Sequence, residues 1–249
     1  MKILICGKGG SGKSTLASLL AFDFVSMGSK VIMVDTDESN IGLHRLIGTE
    51  APKDIMEHIG GKKSFIEKLR SNRDTKMFKD DFTLDLFGQD YVKSANGIRL
   101  VSIGKIHEFG EGCACPMGML AKQFISGLNI SEDEIMIVDT EAGIEHFGRG
   151  VEEGVDAVIM VIDPSYESLL LTEQVAGMAG QRSIPLYYVL NKVDDDTSKK
   201  IRESLGDLAP ILGELPQDPE ILMAGLEGRG LSKGHPRTAT IANALMELK

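Results

Sequence analysis

The chain has no tryptophan, only 5% aromatic residues and three cysteines in 249 residues. Three cysteines, two of them in one Cys-x-Cys, do not make a disulfide framework; in an intracellular chain they point to metal or redox chemistry. No apolar run approaches the roughly 18–20 residues needed to span a bilayer. The N-terminus enters a strand directly, without the pattern of a secretory signal, so a cytoplasmic protein with no stable membrane insertion is expected. A basic run is also missing. The formal charge is −10, which argues against nucleic acid or an anionic membrane as a partner. Internal repeats, low-complexity segments and obvious linkers are absent too. What is there is an alternation of short apolar segments with helical patterns. It predicts one α/β domain over residues 1–249, a mostly parallel central sheet with helices on both faces.

The expected strands cover residues 2–6, 30–34, 98–103, 134–139, 157–162, 186–190 and 209–213. Helices are expected over 14–27, with Leu16, Leu19, Leu20 and Val25 inward, and over about 117–128. A last helix is expected from about Thr238, with Ile241, Leu245 and Leu248 on one side. Residues 51–95 are the least regular. They hold an amphipathic segment around Phe65, Ile66 and Leu69, then a mixed-charge stretch, Ser71 to Asp85, read as a solvated face.

Residues 7–15, Gly-Lys-Gly-Gly-Ser-Gly-Lys-Ser-Thr, satisfy the phosphate-loop pattern G-x-x-x-x-G-K-[ST] through Gly7, Gly12, Lys13 and Ser14. Phosphates are dense anionic clusters, and consecutive backbone N–H groups at a helix N-terminus hold them. Glycines let that backbone approach closely. Gly9, Gly10, Ser11, Gly12, Lys13, Ser14 and Thr15 are therefore the candidate nucleotide-binding residues, with Lys13 on the β/γ oxygens and Ser14 on Mg²⁺. Lys8 has two readings, a solvated surface lysine or a group pointing outward to a second subunit's nucleotide. Asp139 closes an apolar strand and precedes Thr140-Glu141-Ala142-Gly143, so Asp139 is read as a Mg²⁺ group and the Gly143 N–H as a γ-phosphate sensor. Asp37, two residues past a strand end, is read as the orienter of the attacking water and as a third Mg²⁺ group. Asp35 is read as structural or as an outer-sphere Mg²⁺ group. Asn191-Lys192-x-Asp194 has the form of a base-reading motif, and on residues alone it allows GTP as well as ATP. Pro216, in Leu215-Pro216-Gln217-Asp218, is expected to close over the base.

Cys113-Ala114-Cys115-Pro116 is the second chemical feature. A metal pair, a redox pair and a buried reduced pair all satisfy that spacing. Two thiolates are an incomplete site for Zn²⁺ or Ni²⁺, and a two-fold dimer supplies four. His107 is read as a solvated loop histidine with metal ligation as the alternative, and Cys6 as an inert core thiol.

The loop with its lysine at position 8 resembles the deviant phosphate loop of the MinD/ParA/nitrogenase-iron-protein class. Asp35-x-Asp37 and Asp139-Thr140-x-Ala142-Gly143 match that class's two switch regions, and Asn191-Lys192 its base-contact position. The resemblance implies ATP, a signature role for Lys8 across a dimer interface, and a hydrolytic role for Asp37. The segment from Gly104-Lys105-Ile106 to Cys115-Pro116 is similar to the CooC-type ATPases, which mature carbon monoxide dehydrogenase. That implies a homodimer driven by ATP or metal, with Ni²⁺ or Zn²⁺ shared between Cys113 and Cys115 of two chains, and the nickel enzyme as client. Cluster carriage like that of the nitrogenase iron protein, with a [4Fe–4S] group, is one alternative. A MinD/ParA-like positioning ATPase is another, disfavoured by the lack of a basic tail.

Overall fold

The computed structural model describes residues 1–72, 75–106, 115–231 and 233–248. The first half runs β1 (Lys2–Gly7), α1 (Lys13–Ser26), β2 (Lys30–Asp35), the short helices α2 (Leu43–Leu46) and α3 (Ile55–His58), α4 (Gly61–Ser71), β3 (Lys93–Ala95) and β4 (Ile98–Ser102). Then come α5 (Cys115–Gly127), β5 (Glu134–Asp139), α6 (Glu145–Arg149), β6 (Ala157–Ile162), α7 (Tyr166–Gln181), β7 (Leu186–Asn191), α8 (Asp195–Leu205), β8 (Ile211–Leu215), α9 (Pro219–Glu227) and α10 (Pro236–Glu247). Among the described residues the strands form one sheet in the order β3-β4-β2-β5-β1-β6-β7-β8. All pairs are parallel except β3 with β4.

Strand side chains alternate between two cores because successive Cβ atoms point to opposite faces. Leu4 and Cys6 of β1 enter one core with Phe65, Phe124 and Tyr188. Ile3 and Ile5 enter the other with Leu16, Leu20, Ile241 and Leu245 from α1 and α10. Both faces are covered, as a parallel sheet of continuous apolar strands requires. No helix among the described residues is long and apolar enough to cross a membrane.

The structure corrects several sequence expectations. The stretch 71–85 is not merely a solvated face: Phe78, Phe82 and Leu84 are buried while the charged residues between them stay outside. Phe78 and Phe82 stack with Phe87 and Phe124 at centroid distances of 4.9 to 5.9 Å. This aromatic knot fastens the irregular segment onto α5. The antiparallel edge strand β3 also escaped the sequence reading. Its signal was Asn96-Gly97, whose φ values of 53° and 79° make the two-residue hairpin turn. The last strand begins at Ile211 rather than Ala209, since Pro210 has no N–H to give the ladder. Val25 is only half-buried and Leu248 is half-exposed beyond the end of α10.

Candidate functional site

The loops after β1, β2, β5, β6, β7 and β8 meet at the carboxyl end of the sheet. Ligands bind there in open α/β folds, because the strand order reverses on either side of β1. A cavity of about 600 Å³ opens at this edge. Its wall brings together Gly9, Gly10, Gly12, Lys13, Ser14, Thr15, Asp37, Asn191, Lys192 and Pro216. Lys8, Ser11, Asp139 and Gly143 stand behind or beside that wall rather than on it.

The phosphate loop is shaped by its glycines. Gly12 has φ +99°, and a Cβ there would meet Asn191 Nδ2 at 2.2 Å. Asn191 is placed that closely because its side-chain amide donates to Ser11 O at 2.7 Å, while Lys192 Nζ donates to Gly10 O at 2.7 Å. Both residues, expected at the base, here brace the loop. Asp194, the fourth residue of that motif, caps α8 by accepting from Thr197 N at 2.8 Å. Lys13 is buried and its Nζ lies 3.2 Å from Lys8 O.

Lys8 does not point freely outward. Its Nζ lies 3.3 Å from Asp163 Oδ2 at the end of β6. Burial pushes the Asp163 carboxyl up, but hydrogen bonds from Ser168, Ser165 and Lys8 outweigh it and hold the group below its usual range. The strand expected over 157–162 stops one residue short of Asp163, and no motif in the sequence singles that aspartate out.

Asp139 is wholly buried. Its Oδ2 accepts from Ser14 Oγ at 2.6 Å, and its Oδ1 has no partner. Burial, reinforced by the charge of Asp35 beside it in the β2–β5 register, pushes the Asp139 carboxyl up to about 7. A carboxylate oxygen buried without a donor needs a cation or water. With the Ser14 hydroxyl it makes a hard-oxygen set that fits Mg²⁺, whose charge would return Asp139 to the ionised form. Asn40, missed by the sequence reading, donates to Ser14 Oγ at 2.9 Å. Asp37 Oδ1 is occupied in holding the turn after β2: it accepts from Ser39 N at 2.9 Å, Ser39 Oγ at 2.7 Å and Asn40 N at 3.1 Å.

Asp35 is held by Lys105 Nζ at 2.6 Å, and Lys105 also donates to the Asp37 carbonyl. Burial dominates even so, and pushes Asp35 up to about 6. Gly143 N–H donates to Gly7 O at 3.1 Å, closing the loop after β5 onto the phosphate loop. That bond has to open before Gly143 can face a phosphate. Glu141 is pushed up to about 7 by burial and by the facing Glu38 carboxylate, against the pull of its Arg149 partner. The loops after β2 and β5 thus meet through a carboxyl pair.

Cys115 is an exposed cysteine at the start of α5, while Cys6 is buried and its thiol is pushed up to about 12 by burial. Cys113 and His107 lie outside the described residues. Among the described residues no three His, Cys, Asp or Glu side chains cluster in a way that could hold a metal ion.

The sequence profile of the CobQ/CobB/MinD/ParA nucleotide binding domain matches residues 2–231. The chain is 45% identical to an uncharacterized ATP-binding protein of Methanocaldococcus jannaschii, over 93% of this chain and 94% of that protein. It is 30% identical to the carbon monoxide dehydrogenase accessory protein CooC of Rhodospirillum rubrum, over 99% and 95% of the two chains. The septum site-determining protein MinD of Pyrococcus horikoshii, solved with Mg-ADP, shares the fold with a TM-score of 0.71 at 18% identity, over 99% and 96% of the two chains. Phosphate loop, switch loops and full-length matches agree, and the chain belongs to the CobQ/CobB/MinD/ParA nucleotide-binding family, in its deviant phosphate-loop class and CooC-type subgroup.

Proposed function

We propose that this protein is an ATP-hydrolysing accessory factor. As a dimer it binds Ni²⁺ or Zn²⁺ as cargo through Cys113 and Cys115 of each chain, and it assists nickel insertion into carbon monoxide dehydrogenase. Lys13 and the loop amides hold the triphosphate, Ser14, Asp139 and Asp37 serve Mg²⁺, Asp37 orients water, and Lys8 leaves Asp163 to reach the partner's nucleotide. The family membership and the CooC relative support the accessory role.

One observation carries the link between nucleotide and thiol. Arg149, at the end of α6, pairs with Glu141, two residues past Asp139. The same arginine lies against Gly118 of α5, where a Cβ would meet Arg149 Cδ at 2.3 Å. Gly118 is three residues from Cys115. A shift of the loop after β5, where a γ-phosphate would be sensed, is therefore transmitted to the base of the cysteine loop by a packed side chain rather than through solvent.

Linkage makes this testable: if ATP changes metal affinity, metal changes ATP affinity by the same factor. Calorimetric titration of Ni²⁺ into the ATP-bound and ADP-bound protein should give different affinities. Equal affinities remove the coupling. The double variant Cys113→Ala/Cys115→Ala should lose metal and metal-driven dimerisation; if it still dimerises with metal bound, the shared thiolate site is wrong. Iron and labile sulfide in an anaerobic preparation would move the reading to cluster carriage.

A further inference from the structure

Beyond the matched residues 2–231, the chain returns to the nucleotide cavity. His235 lines it together with Asp218 and the residues of the phosphate loop. The position is built rather than incidental. Asp23, buried in α1, accepts from Thr238 Oγ1, and Thr238 in turn accepts from His235 N at 3.0 Å. Gly234 sits so tightly on Asp23 that a Cβ would meet Asp23 Oδ1 at 1.8 Å. Pro236 then starts α10 in the first turn, where its missing N–H costs nothing. Gly234-His235-Pro236 is thus pinned on α1, and the imidazole faces the cavity.

The ring's orientation sets its chemistry. Arg237 N donates to His235 Nδ1 at 3.2 Å, so Nδ1 is an acceptor and the neutral ring carries its proton on Nε2. Asp218 Oδ1 is saturated by the N–H groups of Glu220 at 2.7 Å and Ile221 at 3.1 Å. Its Oδ2 lies 3.8 Å from His235 Nε2, too far for a hydrogen bond. An N–H donor and a carboxylate acceptor therefore stand side by side at the cavity wall, near the exposed apolar side chains of Leu222 and Leu226.

We infer that His235 and Asp218 read the nucleobase at this site and select adenine over guanine. This rests on the cavity being the nucleotide site of the proposed ATPase. Adenine presents an acceptor, N7, next to a donor, its 6-amino group; guanine presents two acceptors, N7 and O6. His235 Nε2–H meets N7 and Asp218 Oδ2 accepts from the amino group. Guanine would instead set O6 against the Asp218 carboxylate.

Affinities of the full chain for Mg-ATP, Mg-GTP, Mg-2′-deoxy-ATP and purine riboside triphosphate, which lacks the 6-amino group, test this. ATP and 2′-deoxy-ATP should bind alike, while GTP and purine riboside triphosphate bind roughly tenfold or more weakly. His235→Asn keeps a good helix cap and removes the reach of Nε2. It should weaken ATP roughly 5- to 10-fold with an unchanged thermal melt. GTP binding as well as ATP, or purine riboside triphosphate matching ATP, overturns the inference and leaves the ATPase reading intact, and neither measurement needs a variant. Loss of affinity for 2′-deoxy-ATP alone reassigns the pair to the ribose and also overturns it. Failure of every triphosphate to bind removes the ATPase reading itself.

Discussion

Asp139→Asn should stabilise the ligand-free protein at neutral and alkaline pH, although it removes a carboxylate at the centre of the proposed site. Asp139 is fully buried, has one oxygen without a partner and sits beside Asp35, so its carboxyl is pushed from 3.8 to about 7. A group whose pKa is raised by folding contributes stability that is complete below its unfolded value and is lost as pH rises through its folded value. The window here runs from about pH 4 to pH 7. At 1.36 kcal/mol per pKa unit the full loss is about 4 kcal/mol, of which roughly 2–3 kcal/mol falls between pH 5 and pH 8. Asparagine has no such titration, and its oxygen can still accept from Ser14. Urea unfolding of both proteins at pH 5 and pH 8, without nucleotide or metal, should therefore show the Asn variant gaining about 2–3 kcal/mol relative to wild type as the pH rises. The burial of His146, which holds its imidazole down at about 3, costs stability as pH falls in both proteins and cancels in the difference. Mg-ADP should reverse the order by stabilising wild type more strongly. A stability difference independent of pH would refute the reasoning, and so would a wild type that is the more stable protein at pH 8.

Phe124→Ala should cost about 3–5 kcal/mol, since the ring is wholly buried against Phe78, Phe82 and Phe87. Denaturant midpoints check it, and a cost below about 1 kcal/mol would mean that the aromatic knot is not a packed core. Lys8→Ala should retain nucleotide binding and lose both hydrolysis and dimerisation with a non-hydrolysable ATP analogue. Asp163→Asn, which frees the Lys8 ammonium, should retain that dimerisation, as read by analytical ultracentrifugation. Unchanged turnover in Lys8→Ala would defeat the cross-dimer role.

The phosphate-loop pattern, the carboxylates at the ends of β2 and β5 and the alternation of strands with helices were legible because their signals are local. A glycine spacing, an apolar run ending in a carboxylate and a period-2 or period-3.6 pattern need no knowledge of distant residues. The edge hairpin was missed despite Asn96-Gly97, because β3 is only three residues long and carries no apolar alternation of its own. The stretch 71–85 misled because its charges outnumber its apolar residues. Only folding shows that Phe78, Phe82 and Leu84 turn to one side, against Phe124 some forty residues later.

At the site the division is similar. The sequence by itself determined that a phosphate-loop pattern leads into α1, that carboxylates stand at the ends of β2 and β5, and that a Cys-x-Cys runs into the start of α5. Each of these is carried by residue types in contiguous order. The tertiary structure decided which groups those residues meet. Lys8 is held by Asp163, Asn191 and Lys192 brace the phosphate loop, and Arg149 bridges Glu141 to α5. His235 reaches the cavity from the last helix, more than two hundred residues beyond the phosphate loop. These pairings join loops that share an end of one sheet and are otherwise far apart in the chain. They follow from strand order, and no local pattern of residues encodes that order.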